Sequence, residues 1–473
     1  MSMGVMIGIE VHCQLNTESK LFCSDSSDHR GRKPNELTCP VCLGFPGSKP
    51  VVNKRAIELG MLIALALKCK VADRMFFSRK TYFYPDMSKN YQITQYEIPL
   101  AEGGLFTIGE SKIRIRRVHI EEDPARLVHV GGDITNSKYV LVDYNRSGVP
   151  LAEIVTEPDF TSPKVVRAFL EKLANVLEHL GVYDSAKEAT LRVDANISTD
   201  GGERVEVKNI TGFESVEKAL NYEIVRQNGM KRSGVAVQRE TRHFDADSNT
   251  TKSLRKKEYE EDYGYIFDPD LPSFTIGKEW LDSVSSKMPE LPDHRIERFT
   301  RQYSIDSYTA RVIVYSDKYL ADFFEECCAL YGKPAVISNW IVNYLLKSLN
   351  WRSERISQSR VKPATFVELL RLIDDGKITE RFAKELIKEY VDTGTSPKAL
   401  AQKETILISE RDLEEIVAKV LQANAKAAEE YKAGRKESLQ FIIGRVLSET
   451  KKQGDPKRIR ELVLKKLDAS IAQ

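Results

Sequence analysis

The sequence predicts an α+β protein in which a strand-rich first part is followed by an all-helical second part. Residues 1 to about 290 contain many short segments that alternate apolar and polar residues, the pattern of half-buried strands. After Pro292 the pattern changes to long amphipathic helices. We expect a sheet domain at 1–293, a helical domain at 294–408 and a small helical tail domain at 409–473, which starts with an N-cap-like segment at Ser409.

Length and composition exclude several classes of protein. The 473 residues suffice for about two to four domains with at least one large core. No run approaches the roughly 18 apolar residues of a membrane span, and the first residues lack the basic start and apolar core of a secretory signal. Seven cysteines are an odd number in a long chain and argue against a secreted disulfide framework. We expect a cytoplasmic protein that makes no contact with a membrane.

Charge is spread unevenly along the chain. The formal net charge is only +2, yet residues 431–473 contain eleven Lys and Arg against five Asp and Glu. A basic tail on a slightly acidic body favours contact with a polyanion. A solvated helix pair with surplus lysines is the alternative.

The segment at residues 5–14 is the strand around which the predicted site is arranged. Apolar residues at the odd positions alternate with a face that carries Glu10 and His12. Since successive strand side chains point to opposite faces, this carboxylate and this imidazole stand about 7 Å apart on the polar side. Metal ligands or an acid–base pair would have this arrangement, and an incidental solvated face is the alternative.

Further segments downstream repeat this polar-faced pattern. The acids on them include Glu121, Glu122, Glu153 and Asp194. If these segments share one antiparallel sheet, its polar face is a charged trough. Densely packed carboxylates repel one another unless cations neutralise them, so Mg²⁺ is the natural complement, and nearby Arg and Lys would serve phosphates. The pattern favours phosphoryl chemistry on the sheet, with ordinary surface ion pairs as the alternative.

The usual nucleotide-binding signatures are missing from the sequence. There is no G-x-x-x-x-G-K-[ST], no G-x-G-x-x-G and no kinase-like set, so an ATP site must use another scaffold. Residues 77–93 interleave aromatic and basic side chains, which can stack a base or ribose while holding phosphates. Aromatic packing within a loop is the alternative.

A cysteine-containing segment near the N-terminus resembles half of a zinc knuckle. Cys39 and Cys42 form a C-x-x-C pair ahead of a glycine turn, a spacing that lets two thiolates meet one tetrahedral ion. Cys23 precedes the pair, and either Asp25 or His29 could complete a four-ligand site. A structural zinc site and a loop with free thiols are both consistent with this pattern.

An ordered set of motifs runs along the whole chain. They are I-G-I-E-V-H-C-Q-L, C-P-V-C-L-G-F-P-G, R-K-T-Y-F-Y-P-D, Y-Q-I-T-Q-Y, H-I-E-E-D-P, V-D-Y-N-R-S-G-V-P-L-A-E-I-V-T-E-P-D, R-V-D-A-N-I-S and, in the tail, A-G-R-K-E-S-L-Q-F-I-I-G-R-V-L. Together they resemble the B subunit of the aspartyl/glutamyl-tRNA(Asn/Gln) amidotransferases. Any one motif is weakly specific, whereas the ordered set is specific.

The resemblance implies an ATP-dependent ligase that transamidates misacylated Asp-tRNA(Asn), Glu-tRNA(Gln) or both. ATP phosphorylates the side-chain carboxylate on the tRNA, and ammonia then displaces the phosphate. The ammonia comes from glutamine hydrolysed by a partner amidase, the A subunit, in a heterotrimer that also contains the small C subunit. The implied fold is an antiparallel-sheet cradle at 1–293, which carries the kinase and transamidase chemistry, followed by the helical domain and a tRNA-binding tail.

The resemblance also implies roles for individual residues. The expected Mg²⁺ ligands, which are also catalytic, are Glu10, His12, Glu122 and Glu153. Further catalytic residues would be Glu121 and Asp194, as second choices or in contact with the ligands. ATP or the tRNA end would contact Arg79, Lys80, Tyr82, Arg192 and Lys208.

Two departures from the family pattern bear on these expectations. Zinc-bearing members usually read C-x-C ahead of C-P-V-C, whereas this chain reads Cys23-Ser24-Asp25, so a zinc site would consist of Cys23, Cys39, Cys42 and Asp25. Relatives devoted to tRNA(Gln) carry an inserted domain before the helical region. Residues 290–294 run on without it, which favours the heterotrimeric Asp/Glu form.

Two other functions compete with this interpretation. A non-catalytic tRNA-docking scaffold of the same complex is one, although the acidic positions of the motifs are all present. A free-standing carboxylate–amine ligase for small molecules is the other, and the basic tail argues against it. No glutaminase signature occurs in the sequence, so the ammonia must come from a partner.

Overall fold

A computed structural model describes residues 4–131, 137–184, 191–256, 264–404, 410–432, 435, 437–450 and 456–469. The chain divides into two units, Met1–Pro292 and Asp293–Gln473. The predicted α+β class, with strands first and helices after, is confirmed. The division lies one residue from the predicted boundary at 293, whereas the boundary predicted at 408 lies outside the described residues. Within the described ranges, no helix has the length and apolar character needed to cross a bilayer.

The described residues of the first unit form sixteen strands and four α-helices. The strands are β1 (Val5–Gln14), β2 (Lys70–Val71), β3 (Arg74–Met75), β4 (Ser78–Thr81), β5 (Tyr91–Thr94), β6 (Ala101–Ile108), β7 (Ser111–Glu122), β8 (Arg126–Val130), β9 (Tyr139–Asp143), β10 (Pro150–Thr156), β11 (Leu191–Thr199), β12 (Val205–Ile210), β13 (Glu240–Asp245), β14 (Thr250–Lys256), β15 (Gly264–Phe267) and β16 (Phe274–Thr275). The helices are α1 (Lys54–Ala66), α2 (Pro163–His179), α3 (Phe213–Arg232) and α4 (Lys278–Ser285).

Nine of these strands form one sheet in the order β14-β13-β12-β11-β1-β10-β7-β6-β2. Neighbours run antiparallel except β12 and β13, which are parallel. A parallel pair needs a crossover connection, and α3 lies in the segment that joins these two strands. A smaller sheet has the order β15-β4-β5. β1, which carries Glu10 and His12, therefore lies at the centre of the large sheet.

The core of the first unit lies between one face of the large sheet and helices α1, α2 and α3. Ile7 and Ile9 of β1 are buried in it, as the alternating pattern predicts. Helix α1 approaches the sheet closely at Gly60, where a Cβ atom would lie 2.6 Å from Leu100 Cδ2 and 2.7 Å from Ile120 Cδ1. A side chain at this position would have to displace the ends of these two side chains, so glycine lets the helix pack closely here.

The described residues of the second unit are largely helical. The α-helices are α5 (Pro292–Tyr303), α6 (Ser307–Ser316), α7 (Lys318–Tyr331), α8 (Pro334–Trp340), α9 (Leu346–Trp351), α10 (Pro363–Asp374), α11 (Glu380–Thr393), α12 (Pro397–Glu404), α13 (Glu410–Ala423), α14 (Ala425–Lys432), α15 (Glu437–Glu449) and α16 (Pro456–Ala469). Their apolar side chains form two clusters. One runs from Ile296 to Ala401 and the other from Leu413 to Leu467.

Substitution of Phe169 tests the packing of α2 on the large sheet. This side chain is fully buried, and its ring centroid lies 5.4 Å from that of Phe106 and 5.1 Å from that of Phe160. We expect Phe169→Ala to lower the free energy of unfolding of the first unit by about 3–5 kcal/mol, because it removes apolar contacts and leaves a cavity. Chemical denaturation of the full chain, followed by circular dichroism, measures the change.

The matched control is Phe83→Ala, since Phe83 is 81% exposed. It should alter the free energy of unfolding by less than about 0.5 kcal/mol. Equal losses for the two variants would contradict this packing.

Candidate active site

The face of the large sheet opposite the core lines a cavity of about 620 Å³. Glu10 and His12 of β1 point into it, while their neighbours along the strand are buried in the core. The small sheet supplies another wall. Lys80 of β4 pairs with Tyr265 and Gln92, and because cross-strand partners share a face, all three line the cavity. The polar trough is thus a cleft bounded by two sheets.

The first group of titratable side chains in the cavity, which we call the histidine cluster, comprises His12, His119, Glu121 and Glu153. The strand register brings them together, since His12 lies opposite Glu153 and Glu153 lies opposite His119 on the next strand. His119 Nε2 is 2.8 Å from Glu153 Oε2, and His12 Nε2 is 3.6 Å from the same oxygen. Glu121 Oε1 lies 3.8 Å from His12 Nε2, and the Thr94 hydroxyl donates to Glu121 over 3.1 Å.

Charge balance within the histidine cluster depends on His119. Burial lowers the pKa of this imidazole, but the carboxylates of Glu153 and Glu121 outweigh burial and raise it to about 9. Burial likewise raises the pKa of Glu153, yet His119 and His12 hold it well below its usual value. The sequence-based prediction does not include His119, because it selects mainly carboxylates. The alternation that turns Glu121 into the cavity turns His119 there as well.

The second group, which we call the acid cluster, comprises Glu10, Asp194 and Glu206 on three neighbouring strands. Glu10 lies opposite Asp194 in the register of β1 and β11. Burial and the surrounding carboxylates, Glu153 foremost, raise the pKa of Glu10 to about 6. Lys208 Nζ lies 3.8 Å from both Asp194 Oδ2 and Glu206 Oε1. Glu206 is a site residue that the sequence-predicted set omits, although it alternates with the buried Val205 and Val207.

Both clusters have the composition of a site for a divalent cation. Each offers three ligand atoms that lie within 4.8 Å of one another. Beside the acid cluster, Asn196 donates to Glu10 Oε1 over 2.8 Å, and its own Oδ1 is buried without a hydrogen-bond partner. An unpaired amide oxygen among crowded carboxylates is the donor set that Mg²⁺ prefers, so the residues at the acid cluster fit this ion. The histidine cluster offers one imidazole nitrogen and two carboxylate oxygens, so its ligand atoms are a mixture of nitrogen and oxygen.

The four residues that the sequence predicts as ligands of one Mg²⁺ ion do not lie together in the structure. Glu10 belongs to the acid cluster, whereas His12 and Glu153 belong to the histidine cluster. Asp194 and Glu121, predicted as second choices, belong to the acid cluster and the histidine cluster respectively. Glu122 belongs to neither.

Glu122 lies on the other face of β7 because it directly follows Glu121. Its Oε1 is 2.6 Å from Lys89 Nζ and accepts a hydrogen bond from the Ile93 N–H over 2.9 Å. The side chains of Glu122 and Lys89 are both buried. Glu122 thus lies in a buried ion pair with Lys89, apart from the other predicted metal ligands and outside the cavity lining.

Arg79 is also turned away from the cavity, because it alternates with Lys80 along β4. Its Nε donates to Asp268 Oδ2 over 2.9 Å and its Nη2 to Asp270 Oδ2 over 2.8 Å. The guanidinium carbon lies 4.5 Å from the centre of the Tyr91 ring. The structure thus places this predicted ATP contact in an ion-pair network outside the cavity.

The other four predicted contacts for ATP or tRNA line the cavity. They are Lys80, Tyr82, Arg192 and Lys208. Lys80 Nζ lies 5.9 Å from the centre of the Tyr82 ring. Arg192 Nη2 donates to the buried Asp123 Oδ1 over 2.6 Å, so this guanidinium is held in place by a carboxylate.

Two family models match the chain over most of its length. The GatB/GatE catalytic domain matches residues 5–282, and the GatB domain matches residues 322–467. The chain belongs to the GatB family. Both clusters and the small sheet lie within the segment that matches the catalytic domain of this family.

Full-length relatives in the GatB family share close to half of their residues with the chain. A protein of Saccharolobus solfataricus is 46% identical over 470 residues, which are 98% of this chain and 99% of that protein. Relatives from Thermotoga neapolitana and Methanospirillum hungatei are 44% and 45% identical, over 98% of this chain and 98% and 99% of theirs. All three are named as the B subunit of aspartyl/glutamyl-tRNA(Asn/Gln) amidotransferase.

A third group of possible ligands in this GatB-family chain lies apart from the cavity lining. Cys23, Asp25, Cys39 and Cys42 offer ligand atoms within 4.8 Å of one another, and His29, the alternative fourth ligand, does not belong to this group. Cys42 Sγ lies 3.3 Å from Asp25 Oδ2 and 3.7 Å from Nζ of the buried Lys20. Three thiols and a carboxylate at this spacing fit a tetrahedral zinc ion.

The cysteine group generates a prediction about metal content. We expect the purified full chain to hold about one Zn²⁺ and Cys39→Ser to lose most of it, since structural zinc sites use four ligands. Inductively coupled plasma mass spectrometry measures the zinc. Cys69→Ser is the control, because Cys69 does not belong to the group, and it should keep the metal. If the Cys39→Ser chain and the unchanged chain contained equal amounts of zinc, the cysteine group would not be a zinc site and its thiols would be free.

The position of Glu122 generates a second prediction. Glu122→Gln leaves the buried Lys89 ammonium without its carboxylate, so we expect the free energy of unfolding to fall by about 3–5 kcal/mol. Glu102→Gln, an exposed change on β6, should leave the stability near its original value. Chemical denaturation compares the two. A Glu122→Gln chain of normal stability that had lost activity would instead place Glu122 at the reaction.

Proposed function

We propose that this chain is the component of a tRNA-dependent amidotransferase that uses ATP to activate a carboxylate on misacylated tRNA. The observation that carries the proposal is the pair of carboxylate-rich clusters on one wall of a cavity that Lys80 and Lys208 also line. Membership in the GatB family and the names of the relatives support it. The substrates would be Asp-tRNA(Asn), Glu-tRNA(Gln) or both.

The reaction proceeds in two displacements. An oxygen of the substrate carboxylate attacks the γ-phosphorus of ATP, which releases ADP and forms an acyl phosphate. Ammonia then attacks the acyl carbon, inorganic phosphate leaves, and loss of a proton gives the amide. Two anions must approach each other in the first step, so positioning and charge neutralisation account for most of the catalysis.

The residues that line the cavity would bind and orient the two reactants. Lys80 on the small sheet and Lys208 on the large sheet provide cations for the triphosphate from two walls. Arg192, held by Asp123, provides a fixed guanidinium at the cavity surface. The reactants would therefore lie between the small sheet and the face that carries both clusters.

The two clusters would hold the divalent cations that this chemistry needs. One set of ligands is Glu10, Asp194 and Glu206, and the other is His12, Glu121 and Glu153. When bound, Mg²⁺ supplies positive charge that offsets the approach of the carboxylate to the triphosphate. His119, which pairs with Glu153, would fix the orientation of one ligand.

Ammonia would come from glutamine hydrolysed by a partner amidase, the A subunit, in a heterotrimer with the small C subunit. The absence of a glutaminase signature in the sequence supports this division of labour. The tail domain would bind the tRNA. Its helices carry cations on exposed positions, which include Lys419, Lys426, Arg445, Arg458, Arg460 and Lys465.

Phosphate transfer in the absence of glutamine tests the proposal. The chain, purified with its amidase partner, is incubated with γ-labelled ATP and Mg²⁺ and with Asp-tRNA or Glu-tRNA in separate reactions. We expect label transfer that depends on the aminoacyl group and falls at least about 100-fold in Glu153→Gln and in Asp194→Asn, because each variant removes a carboxylate that faces the reactants. Glu102→Gln, on the same sheet but outside the cavity, is the matched control.

The outcomes of this assay decide between catalysis and docking. Transfer with one tRNA names the substrate, and transfer with both names a dual enzyme. Transfer that survives both substitutions would move the reaction away from the two clusters. If tRNA bound to the unchanged chain but no label moved, the chain would be a docking component of the complex.

A further inference from the structure

We propose that Tyr96, supported by Tyr265, is a stacking platform for the adenine ring of a bound nucleotide. The choice of adenine nucleotides rests on the proposed function, which brings ATP and the 3′-terminal adenosine of tRNA to this cavity. The platform itself rests on the geometry of the two tyrosines. Both line the cavity, and neither belongs to the two clusters.

The two rings form a parallel stack. Their centroids lie 3.9 Å apart, with an angle of 15° between the ring planes. Tyr265 lies on β15 opposite Lys80, on the cavity-facing side of the small sheet. One ring therefore fixes the plane of the other before any ligand binds, which lowers the entropic cost of stacking a third ring.

Exposure distinguishes this pair from ordinary aromatic packing. Tyr96 is 39% exposed although one face of its ring is covered by Tyr265. The aromatic pairs of the core, such as Phe160 and Phe169, are buried and meet edge to face. A partly open, rigid ring on the wall of a polar cavity is the arrangement with which proteins stack nucleobases.

The platform is also close to the charged groups that would hold phosphates. Thr94, two residues before Tyr96, donates to Glu121 of the histidine cluster over 3.1 Å. Two residues span at most about 7 Å, so the ring lies within reach of a nucleotide whose phosphates are near the clusters. Lys80, the cross-strand partner of Tyr265, faces the same cavity. Aromatic stacking and cations are thus combined on one wall, as nucleotide binding requires.

Equilibrium binding to the full chain tests the platform without requiring turnover. In the first arm, the affinity for ATP is divided by the affinity for inorganic tripolyphosphate, both with Mg²⁺. In the second arm, the affinity for an RNA minihelix that ends in CCA is divided by the affinity for the same RNA with an abasic 3′ residue. The first ratio measures what the adenosine contributes, and the second measures what the adenine base alone contributes.

We expect Tyr96→Ala to lower at least one ratio by about 5- to 100-fold, since base–aromatic stacking has effects of this size. Tyr96→Phe keeps the ring and should retain the ratio. The matched control is Tyr308→Ala, an exposed tyrosine of the second unit. If Tyr96→Ala does not fold, Tyr96→Leu keeps an apolar side chain without an aromatic face and should give the same loss.

The arm in which the ratio falls identifies whether the adenine belongs to ATP or to the end of the tRNA. A loss confined to the first arm assigns the platform to ATP, and a loss confined to the second assigns it to the tRNA end. The proposal is overturned if both ratios are unchanged in Tyr96→Ala, or if Tyr96→Phe loses as much as Tyr96→Ala. Because these ratios do not depend on phosphate transfer, the platform can fail while the transfer assay succeeds, and the reverse.

Discussion

The packing of β1 between β10 and β11 constrains most of the first unit. Its odd-numbered side chains from Ile7 to Cys13 are buried in the core, while Glu10 and His12 face the cavity. A shift of one residue in the register would exchange the two sets, placing charges in the core and apolar groups in the cavity. Core packing and site geometry are therefore fixed by the same strand pairing.

Crowded carboxylates are the cost of this arrangement. The acid cluster holds three acids with Lys208 as their near cation, and the histidine cluster relies on a protonated His119 to balance Glu121 and Glu153. Buried like charges destabilise a fold unless cations offset them. The acid cluster and the histidine cluster are therefore the parts of the cavity where the proposed divalent cations would stabilise the fold most.

The sequence is sufficient to predict the central strands β1, β10 and β11 and which of their residues share a face, because these follow from a local period of two. It also contains a signal that separates Glu121 from Glu122. Val118 and Ile120 are apolar, so Glu122 shares their face and Glu121 does not. The partners of Glu122 and Arg79 are not predictable in this way. Lys89 and Asp268 are distant in sequence and meet them only through tertiary structure.

The central place of β1 has a consequence for how the chain is made. This strand leaves the ribosome well before its partners, which are Pro150–Thr156 and Leu191–Thr199. At about 5–20 residues per second, its unpaired edges and apolar face wait on the order of ten seconds for those partners. An unpaired strand with an apolar face is prone to aggregate, so the central position of β1 makes the chain most exposed to aggregation before the middle of the sheet has been synthesised.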